Sequence, residues 1–188
     1  VKHYLQKAEG DGYQWVATQN PKGKTDETVT PPVNTTYGDE YELPESQTVT
    51  ISAEKQTVVT YYYKRKVHKL TFEPENGEKT QTVEGRVGAT LNVKQPVRKG
   101  YTFTGWTPEL PEKIPNEDVT YQAQWRKNSY LVQFVSEGTV LKEYTLSYGD
   151  AIPAQEEPTR EGYTFVSWDK NVPDTVSDEN VKNGKLVF

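Results

Sequence analysis

Two histidines and 27 acidic residues are the first candidates for general acids or bases in this 188-residue sequence. His3 and His68 lie in or beside segments with the alternating pattern of a β-strand, and no nucleophile motif accompanies them. The motifs GxSxG and HExxH and a glycine-rich phosphate loop are absent. Glycoside hydrolysis needs two positioned carboxylates, and the sequence singles out no such pair. We therefore assign no catalytic residue and expect that the chain is not an enzyme.

Acidic loops are the next candidates, because calcium takes about six to eight oxygen ligands from a tightly bent loop. Acidic residues cluster at Asp26-Glu27 and over residues 174–180 (DTVSDEN), but neither stretch has the alternating ligands and central glycine of an EF-hand loop. With no cysteine and only two histidines, thiolate zinc sites and histidine-rich metal sites are excluded. We expect both acidic segments to be solvated loops, and we assign no metal and no cofactor.

Exposed aromatic rings are the remaining candidates for a binding site, because their faces can stack on the pyranose rings of a glycan. Trp15 and Tyr62 are the residues that we assign to ligand binding. Tyr62 is the middle residue of the run Tyr61-Tyr62-Tyr63, so strand alternation predicts that it points away from its two neighbours. The alternative is that this run reflects only the high β-propensity of tyrosine. An intramolecular Lys–Asn or Lys–Asp cross-link is a further alternative, although no spacing identifies a reacting triad.

An eleven-residue phrase occurs twice and organises the sequence. Residues 96–106 read PVRKGYTFTGW and residues 158–168 read PTREGYTFVSW, so that Trp106 and Trp168 lie 62 residues apart. Repetition at a fixed period indicates a supersecondary unit that has been copied in tandem. Each copy begins with proline, turns at a glycine and continues as an aromatic, β-prone run.

Strand alternation predicts which side chains of the first phrase share a face. Tyr101 and Phe103 should point to one side, and Thr102, Thr104 and Trp106 to the other. The tryptophans could be glycan platforms, but we favour a structural role, in a core or in a contact between modules. A buried Trp106 would make Trp106→Ala cost about 3–5 kcal/mol. The residues that we expect to act as structural anchors are Tyr101, Phe103, Trp106, Trp125, Tyr163, Phe165 and Trp168.

The repeat divides the chain into three modules, which we place at residues 1–66, 67–127 and 128–188. Units of about 60 residues bury only ~60% of their unfolded surface, so they need support from their neighbours when disulfides are absent. The linkers at 64–67 and 126–129 are short and charged, which predicts a stiff row of modules. The 62-residue period matches position 187 to Trp125, so we expect the last module to be complete or nearly so.

Alternating segments predict strands, and no segment has a helical period. The fold class that we predict is mainly β, in three tandem modules with little helix that form an extended array. The predicted strands cover residues 1–5, 13–18, 48–51, 57–63, 70–73, 80–84, 119–125, 130–135, 143–148 and 185–188, and residues 21–47 are predicted to be largely loop.

The net charge of −5 and the pI near 5.2 argue against nucleic acid as a partner, because a nucleic-acid-binding protein needs a basic face. No window approaches the ~20 apolar residues that a membrane span requires, so direct membrane insertion is not expected. The sequence has no methionine and no recognisable signal peptide or sorting tail. We expect it to be a fragment of a longer protein.

Modules two and three resemble the Listeria–Bacteroides repeat, the B-repeat of internalin-type surface proteins. The resemblance rests on the strand and turn LTFEPENG, on the pattern P-x-R-x-G-Y-T-F-x-x-W, and on the closing strand VTYQAQW. Module three departs from it, since Glu137-Gly138 replaces Asn-Gly and the closing strand reads KLVF. Module one resembles the mucin-binding-protein repeat of Gram-positive surface proteins through VKHYLQ and VVTYYYKR. Both resemblances imply compact β-grasp-like modules on secreted proteins that are attached to the cell wall.

The function that we predict is a non-enzymatic repeat segment of a bacterial cell-surface protein, which serves as the stalk or spacer of an adhesin and contributes to host-ligand binding. One alternative is a carbohydrate-binding module that recognises mucin glycans through exposed aromatic rings. Another is an accessory domain of a secreted enzyme. The expected partners are a host protein or a mucin-type glycan, and the expected state is an extracellular monomer.

Overall fold

The computed structural model describes residues 1–179 and 181–188. The chain divides into two compact units, and the boundary between them runs through residues 67–127, so that parts of the second predicted module belong to each. The first unit comprises Val1–Glu73, Lys79–Lys94 and Pro108–Tyr121, and the second comprises Pro74–Glu78, Gln95–Thr107 and Gln122–Phe188.

The first 66 residues form a four-stranded sheet and a separate two-stranded ribbon. The strands are β1 (Lys2–Gln6), β2 (Tyr13–Thr18), β3 (Thr28–Val29), β4 (Tyr41–Glu42), β5 (Val49–Thr50) and β6 (Thr60–Arg65). The sheet has the order β2-β1-β6-β4, and β3 pairs with β5. Strand β1 runs antiparallel to β2 and parallel to β6. A 3-10 turn at Thr35–Tyr37 is the one helical element in the described part of the chain, which confirms the mainly β fold class.

The inner face of this sheet holds the core of module one. Tyr61 and Tyr63 are buried and Tyr62 is exposed, as strand alternation predicts. His3 lies between them in the adjacent strand, and its ring stacks on Tyr61 with centroids 5.8 Å apart. Tyr41 and Val59 complete the buried cluster.

Residues 67–127 form the second four-stranded sheet, in the order β8-β7-β10-β9. Its strands are β7 (Val67–Glu73), β8 (Gln81–Arg86), β9 (Tyr101–Thr107) and β10 (Val119–Lys127). Leu70 and Phe72 are buried, and the Phe72 ring stacks on buried Tyr121 with centroids 5.3 Å apart. The return strand predicted at 80–84 is β8.

The predicted faces of the first aromatic phrase are wrong at Trp106. In the β9–β10 ladder, Ala123 lies opposite Trp106 and Trp125 lies opposite Phe103, with an irregular step between Gln124 and Trp125. The extra residue in β9 brings Trp106 to the same face as Phe103, and their rings meet edge to face at 5.4 Å. Gly105, at φ +141°, supplies the backbone conformation for this bulge.

Residues 128–188 form a three-stranded sheet, in the order β12-β11-β13. Its strands are β11 (Ser129–Ser136), β12 (Thr139–Ser147) and β13 (Lys185–Val187), with β11 and β13 parallel. The buried cluster contains Tyr130, Val132, Phe134, Ile152, Val176, Leu186 and Phe188. The second aromatic phrase does not repeat the strand of the first, because residues 164–168 join no ladder in the described part of the chain.

The 62-residue period predicts that position 187 corresponds to Trp125, and this prediction is also wrong. Phe188 stacks on Phe134 with centroids 5.4 Å apart, as Tyr121 stacks on Phe72 in the second sheet. Phe188 therefore takes the place of Tyr121. The loop that precedes the closing strand is longer in module three, so the 62-residue period ends before this strand.

Candidate functional site: an exposed aromatic face

The outer face of the first sheet carries four aromatic side chains on three adjacent strands. Tyr4 in β1 lies opposite Trp15 in β2 and beside Tyr62 in β6. Tyr13 lies two residues before Trp15 and therefore on the same side of the sheet. We refer to Tyr4, Tyr13, Trp15 and Tyr62 as the aromatic face.

A bulge in β2 turns Trp15 outward. The register of β1 with β2 is irregular between His3 and Tyr4, because His3 pairs with Ala17 while Tyr4 pairs with Trp15. Val16 is the extra residue. Strict alternation would place Trp15 and Ala17 on the same face of the sheet. Because of the bulge, Ala17 lies opposite buried His3, while Trp15 lies on the outer face and is exposed to solvent.

The rings of the aromatic face support one another while leaving broad surfaces open. Tyr62 stacks on Tyr4 at a centroid distance of 5.3 Å and meets Tyr13 edge to face at 4.9 Å. Trp15 is 56% exposed and Tyr62 is 51% exposed. The indole N–H of Trp15 donates to Thr18 Oγ1 at 3.1 Å, which holds the ring against its own strand. The structure thus places both predicted ligand-binding residues on one surface.

His3 lies beneath this surface and is inaccessible to a substrate. The backbone N–H of Asn34 donates to the Tyr63 hydroxyl at 2.8 Å, and the same hydroxyl is hydrogen-bonded with His3 Nδ1 at 2.9 Å. Burial lowers the pKa of His3, and burial likewise raises the pKa of Tyr63. The pair therefore stays neutral near pH 7 and serves the core.

A cavity of about 480 Å³ opens in the same module, beside the β3–β5 ribbon. Its lining includes three lysines and six valine or isoleucine residues: Lys2, Lys22 and Lys55, with Val1, Val29, Val49, Ile51, Val58 and Val59. The Glu27 carboxylate lies close by, because one of its oxygens would be 3.2 Å from a Cβ at Gly23, which also lines the cavity. The cavity is a second place in module one where a small ligand could be held.

The other predicted anchors occupy three different environments. Phe103 meets Trp106 and Trp125 edge to face at 5.4 and 5.5 Å, and the Trp125 indole N–H donates to the carbonyl of Pro74 at 2.9 Å. In module three, Trp168 packs on Phe134 at 5.1 Å and on Phe165 at 5.3 Å. Tyr101 is half-buried beneath Arg98. Tyr163 instead is 66% exposed, which a core anchor would not be.

Two residues that connect successive modules make the same backbone contacts. In the first unit, the Lys66 N–H donates to Glu40 O at 3.0 Å, and the Lys66 carbonyl accepts from the Val87 N–H at 3.0 Å. In the second unit, the Asn128 N–H donates to Gly100 O at 2.9 Å, and its carbonyl accepts from the Tyr148 N–H at 2.8 Å. Each linker residue is thus bonded on both sides, to the preceding module and to the following one.

Side chains add to each of these junctions. Arg65 donates to the carbonyls of Gln6 and Val87 at 3.1 and 3.0 Å and pairs with Glu40 at 3.0 Å. At the second junction, buried Gly100 lies against the Tyr148 ring. The sequence patterns did not single out Arg65 or Gly100, because their partners are distant in the chain.

Asp178, in the loop at 174–180 that is expected to be solvated, is exposed and also makes specific hydrogen bonds. Its two carboxylate oxygens accept hydrogen bonds from the Gly100 N–H, at 2.9 Å, and from the Tyr130 hydroxyl. Asp178 therefore helps to bind module three to the aromatic phrase of module two. Asn180, at the end of the predicted acidic stretch, lies outside the described residues.

The sheets and their junctions define a protein of tandem small β-modules. A sequence model of the Listeria-Bacteroides repeat domain matches residues 68–124 and 130–184. The chain belongs to the Listeria-Bacteroides repeat family. The match begins after module one, so the resemblance of residues 1–66 to a mucin-binding-protein repeat remains a prediction.

Two similar proteins are much longer than the part that aligns with this chain. Internalin H of Listeria monocytogenes is 34% identical over 94 residues, which cover 44% of this chain. A protein of Evansella cellulosilytica named "Putative membrane protein" is 28% identical over 112 residues, or 54% of this chain. The aligned part is 17% of the length of either relative. Within the described residues, this chain has no helix with the length and apolar character of a membrane span.

Proposed function

We propose that this chain is a non-enzymatic spacer in the stalk of a bacterial cell-surface adhesin. The observation that carries the proposal is the repeated junction, in which Lys66 and Asn128 are each hydrogen-bonded to the module before and the module after them. Membership of the Listeria-Bacteroides repeat family supports a segment made of repeated modules. The similarity to Internalin H supports a surface protein.

A spacer has to keep its length, and the junctions provide the means. A linker residue whose N–H and C=O are both bonded has lost most of its backbone freedom, so a hinge there would require breaking two hydrogen bonds. Arg65 strengthens the first junction through two further backbone carbonyls. Neighbour contacts of this kind also offset the marginal stability of small modules.

Small-angle X-ray scattering of the whole chain tests the spacer. We expect a radius of gyration well above the ~16 Å of a single compact domain of this length. The matched control carries a Gly-Ser-Gly-Ser insertion after Lys66 and after Asn128, and its distance distribution should broaden because the linker bonds are lost. A radius near ~16 Å, or a control that scatters like the parent chain, would contradict the proposal.

A second candidate function is carbohydrate binding by module one. It is favoured by the aromatic face, where Trp15 and Tyr62 offer open rings on a sheet surface that needs no rearrangement. Exposed groups of large aromatic residues on a soluble protein commonly mark binding sites. A mucin-type glycan, with its closely spaced pyranose rings, is the ligand class that such a surface fits.

A glycan array probed with the whole chain tests the second candidate. Trp15→Ala and Tyr62→Ala should each lower binding at least about tenfold without unfolding the chain, because both side chains are half exposed. Tyr163→Ala is the matched control, since it removes a tyrosine that is also more than half exposed, at 66%, from a different module. Binding that survives both face substitutions, or that falls equally with the control, would exclude the aromatic face as the site.

A further inference from the structure

The first and last strands of module one lie side by side and run in the same direction. Lys2 pairs with Thr60 and Leu5 pairs with Tyr63, so β1 and β6 form a parallel ladder. Strand β1 begins the module, and β6 leads directly into the linker residue Lys66. The ladder therefore joins the two strands through which a pull on module one would enter and leave.

The parallel direction determines how such a pull acts on the ladder. A pull on the start of β1 and on the end of β6 draws the two strands past each other along their length, so the hydrogen bonds between them share the load. In the antiparallel pair of β1 and β2, Lys2 and Thr18 lie at the same end, and a pull there opens the ladder one bond at a time. Parallel pairing is slightly less stable per residue, so the direction of the load is what favours the β1–β6 ladder.

Side chains on both faces of the β1–β6 ladder oppose sliding. On the inner face, buried His3 stacks on Tyr61 at a centroid distance of 5.8 Å and is hydrogen-bonded with the Tyr63 hydroxyl at 2.9 Å. On the outer face, Tyr4 stacks on Tyr62 at 5.3 Å. A slip of one residue would exchange the two faces of β1, so it would break these contacts and expose the buried histidine position.

The end of the ladder next to the linker is closed by one residue from each strand. The Arg65 N–H donates to Gln6 Oε1 at 3.0 Å, and Arg65 Nε donates to the Gln6 carbonyl at 3.1 Å. At the opposite end, the Lys2 N–H donates to the carbonyl of Val59 at 2.8 Å. Because a charged donor makes a stronger hydrogen bond than a neutral one, Arg65 reinforces the end at which a pull would leave the module.

We propose that module one bears tension, and that the β1–β6 ladder, closed by Gln6 and Arg65, is the element that resists it. This proposal rests on the proposed function, because a module in a stalk is loaded through its first and last strands. Module three pairs two of its strands in the same parallel manner, since Leu131 lies opposite Lys185 in the β11–β13 ladder. Resistance to sliding would let a spacer keep its length when the surface protein is pulled.

Single-molecule force spectroscopy on the whole chain tests the proposal. The sequence has no cysteine, so introduced cysteines attach the handles at chosen points. One chain carries a cysteine ahead of Val1 together with Val67→Cys, which loads β1 and β6 along their length. The other carries the same first cysteine together with Gln19→Cys, which opens the β1–β2 pair from its end. Val67 and Gln19 are exposed, so neither substitution changes the core.

We expect the lengthwise pull to need a rupture force at least about twofold higher than the opening pull at the same loading rate, because several hydrogen bonds must break together. The released length identifies each event. It should be about 200 Å between the handles of the first chain and about 60 Å for the second, since an extended chain spans ~3.3–3.6 Å per residue. A lengthwise force equal to or below the opening force would overturn the proposal.

Two glutamines provide matched variants of the first chain. Gln6→Ala removes the acceptor of the Arg65 N–H and should lower the lengthwise rupture force at least about 1.3-fold, because that donor loses its partner. Gln14→Ala removes an exposed glutamine from β2 and should leave the lengthwise force unchanged. Equal forces for the two variants would show that the closed end of the ladder carries no load, and the proposal would be refuted.

The pulling and scattering experiments can fail independently. Both handles of the first chain lie at the ends of module one, so its rupture force does not depend on how stiffly the modules are joined. A chain that scatters as an extended spacer but yields equally to both pulls would keep the proposed function and refute the load-bearing ladder. A chain that resists the lengthwise pull but has a radius of gyration near ~16 Å would refute the spacer instead.

Discussion

Gly100 and Gly162 form a matched pair that isolates the contact between modules two and three. They occupy the same place in the two aromatic phrases and have the same left-handed backbone, with φ of +77° and +76°. A Cβ at Gly100 would lie 2.2–2.4 Å from three ring carbons of Tyr148. A Cβ at Gly162 would have no described atom within 4 Å beyond its own neighbours. An alanine methyl group would therefore clash with the Tyr148 ring at position 100 and would have open space at position 162.

The expected magnitudes follow from that comparison. Left-handed backbone costs a non-glycine residue about 1–2 kcal/mol, and loss of glycine freedom in the unfolded chain returns about 0.4–1 kcal/mol. These effects apply to both variants, so Gly162→Ala should lower the free energy of unfolding by about 0–1.5 kcal/mol. Gly100→Ala adds a clash in a packed contact, which typically costs about 1–3 kcal/mol. It also displaces the N–H that donates to Asp178.

Equilibrium unfolding in urea, followed by circular dichroism, measures both variants. Gly100→Ala should be less stable than Gly162→Ala by at least about 1 kcal/mol. In a Tyr148→Ala background the ring is gone, so the two variants should agree within about 0.5 kcal/mol. Equal destabilisation in the parent background would show that Gly100 is needed for its backbone alone and that its contact with Tyr148 does not stabilise the junction.

Two further predictions concern the first unit. Because burial depresses the pKa of His3 below its ordinary value of 6.5, its contribution to stability is complete above that pH and is lost toward the folded-state pKa, by at most about 1.4 kcal/mol per pH unit. His3→Phe should remove this dependence in urea titrations at about pH 7.5 and 5.5. Arg65→Ala should lower the free energy of unfolding by about 2–4 kcal/mol, since two backbone carbonyls lose a charged donor. Lys127→Ala, which loses only a 3.4 Å pair with Asp150, should lower it by less than about 1 kcal/mol in the same titration.

The strands of this fold were predictable from alternation because each sheet has one buried face. Leu70 and Phe72, and likewise Tyr61 and Tyr63, are apolar or aromatic at a spacing of two, and all four are buried. The strand expected at 13–18 is β2, with the same bounds. Where a strand packs on one side against a core, its own alternation carries enough information to locate it, even at a sheet edge such as β2.

Alternation failed where a bulge inserts a residue. Trp106 shares a face with Phe103, and Trp15 leaves the face of Ala17, because each strand has one residue more than its partner. Nothing in the residues of β2 marks Val16 as the inserted one. In β9 the signal was present, since glycine inside a strand often marks a bulge, and Gly105 directly precedes Trp106.

The junctions were beyond sequence reasoning because they are long-range. Gly100 is a plain turn glycine in the sequence, and its second constraint is the ring of Tyr148. Asp178 belongs to what reads as a solvated acidic loop, yet it accepts from the Gly100 N–H and the Tyr130 hydroxyl. Only the folded chain brings these groups together, and nothing in the residues near each of them along the sequence indicates the contact.

The second aromatic phrase shows how far local sequence can determine a strand. Its residues have the same order and the same ring contacts as the first copy, yet only the first lies in a ladder. A strand is defined by hydrogen bonds to a neighbour, and a β-prone segment without a neighbour remains extended chain at best.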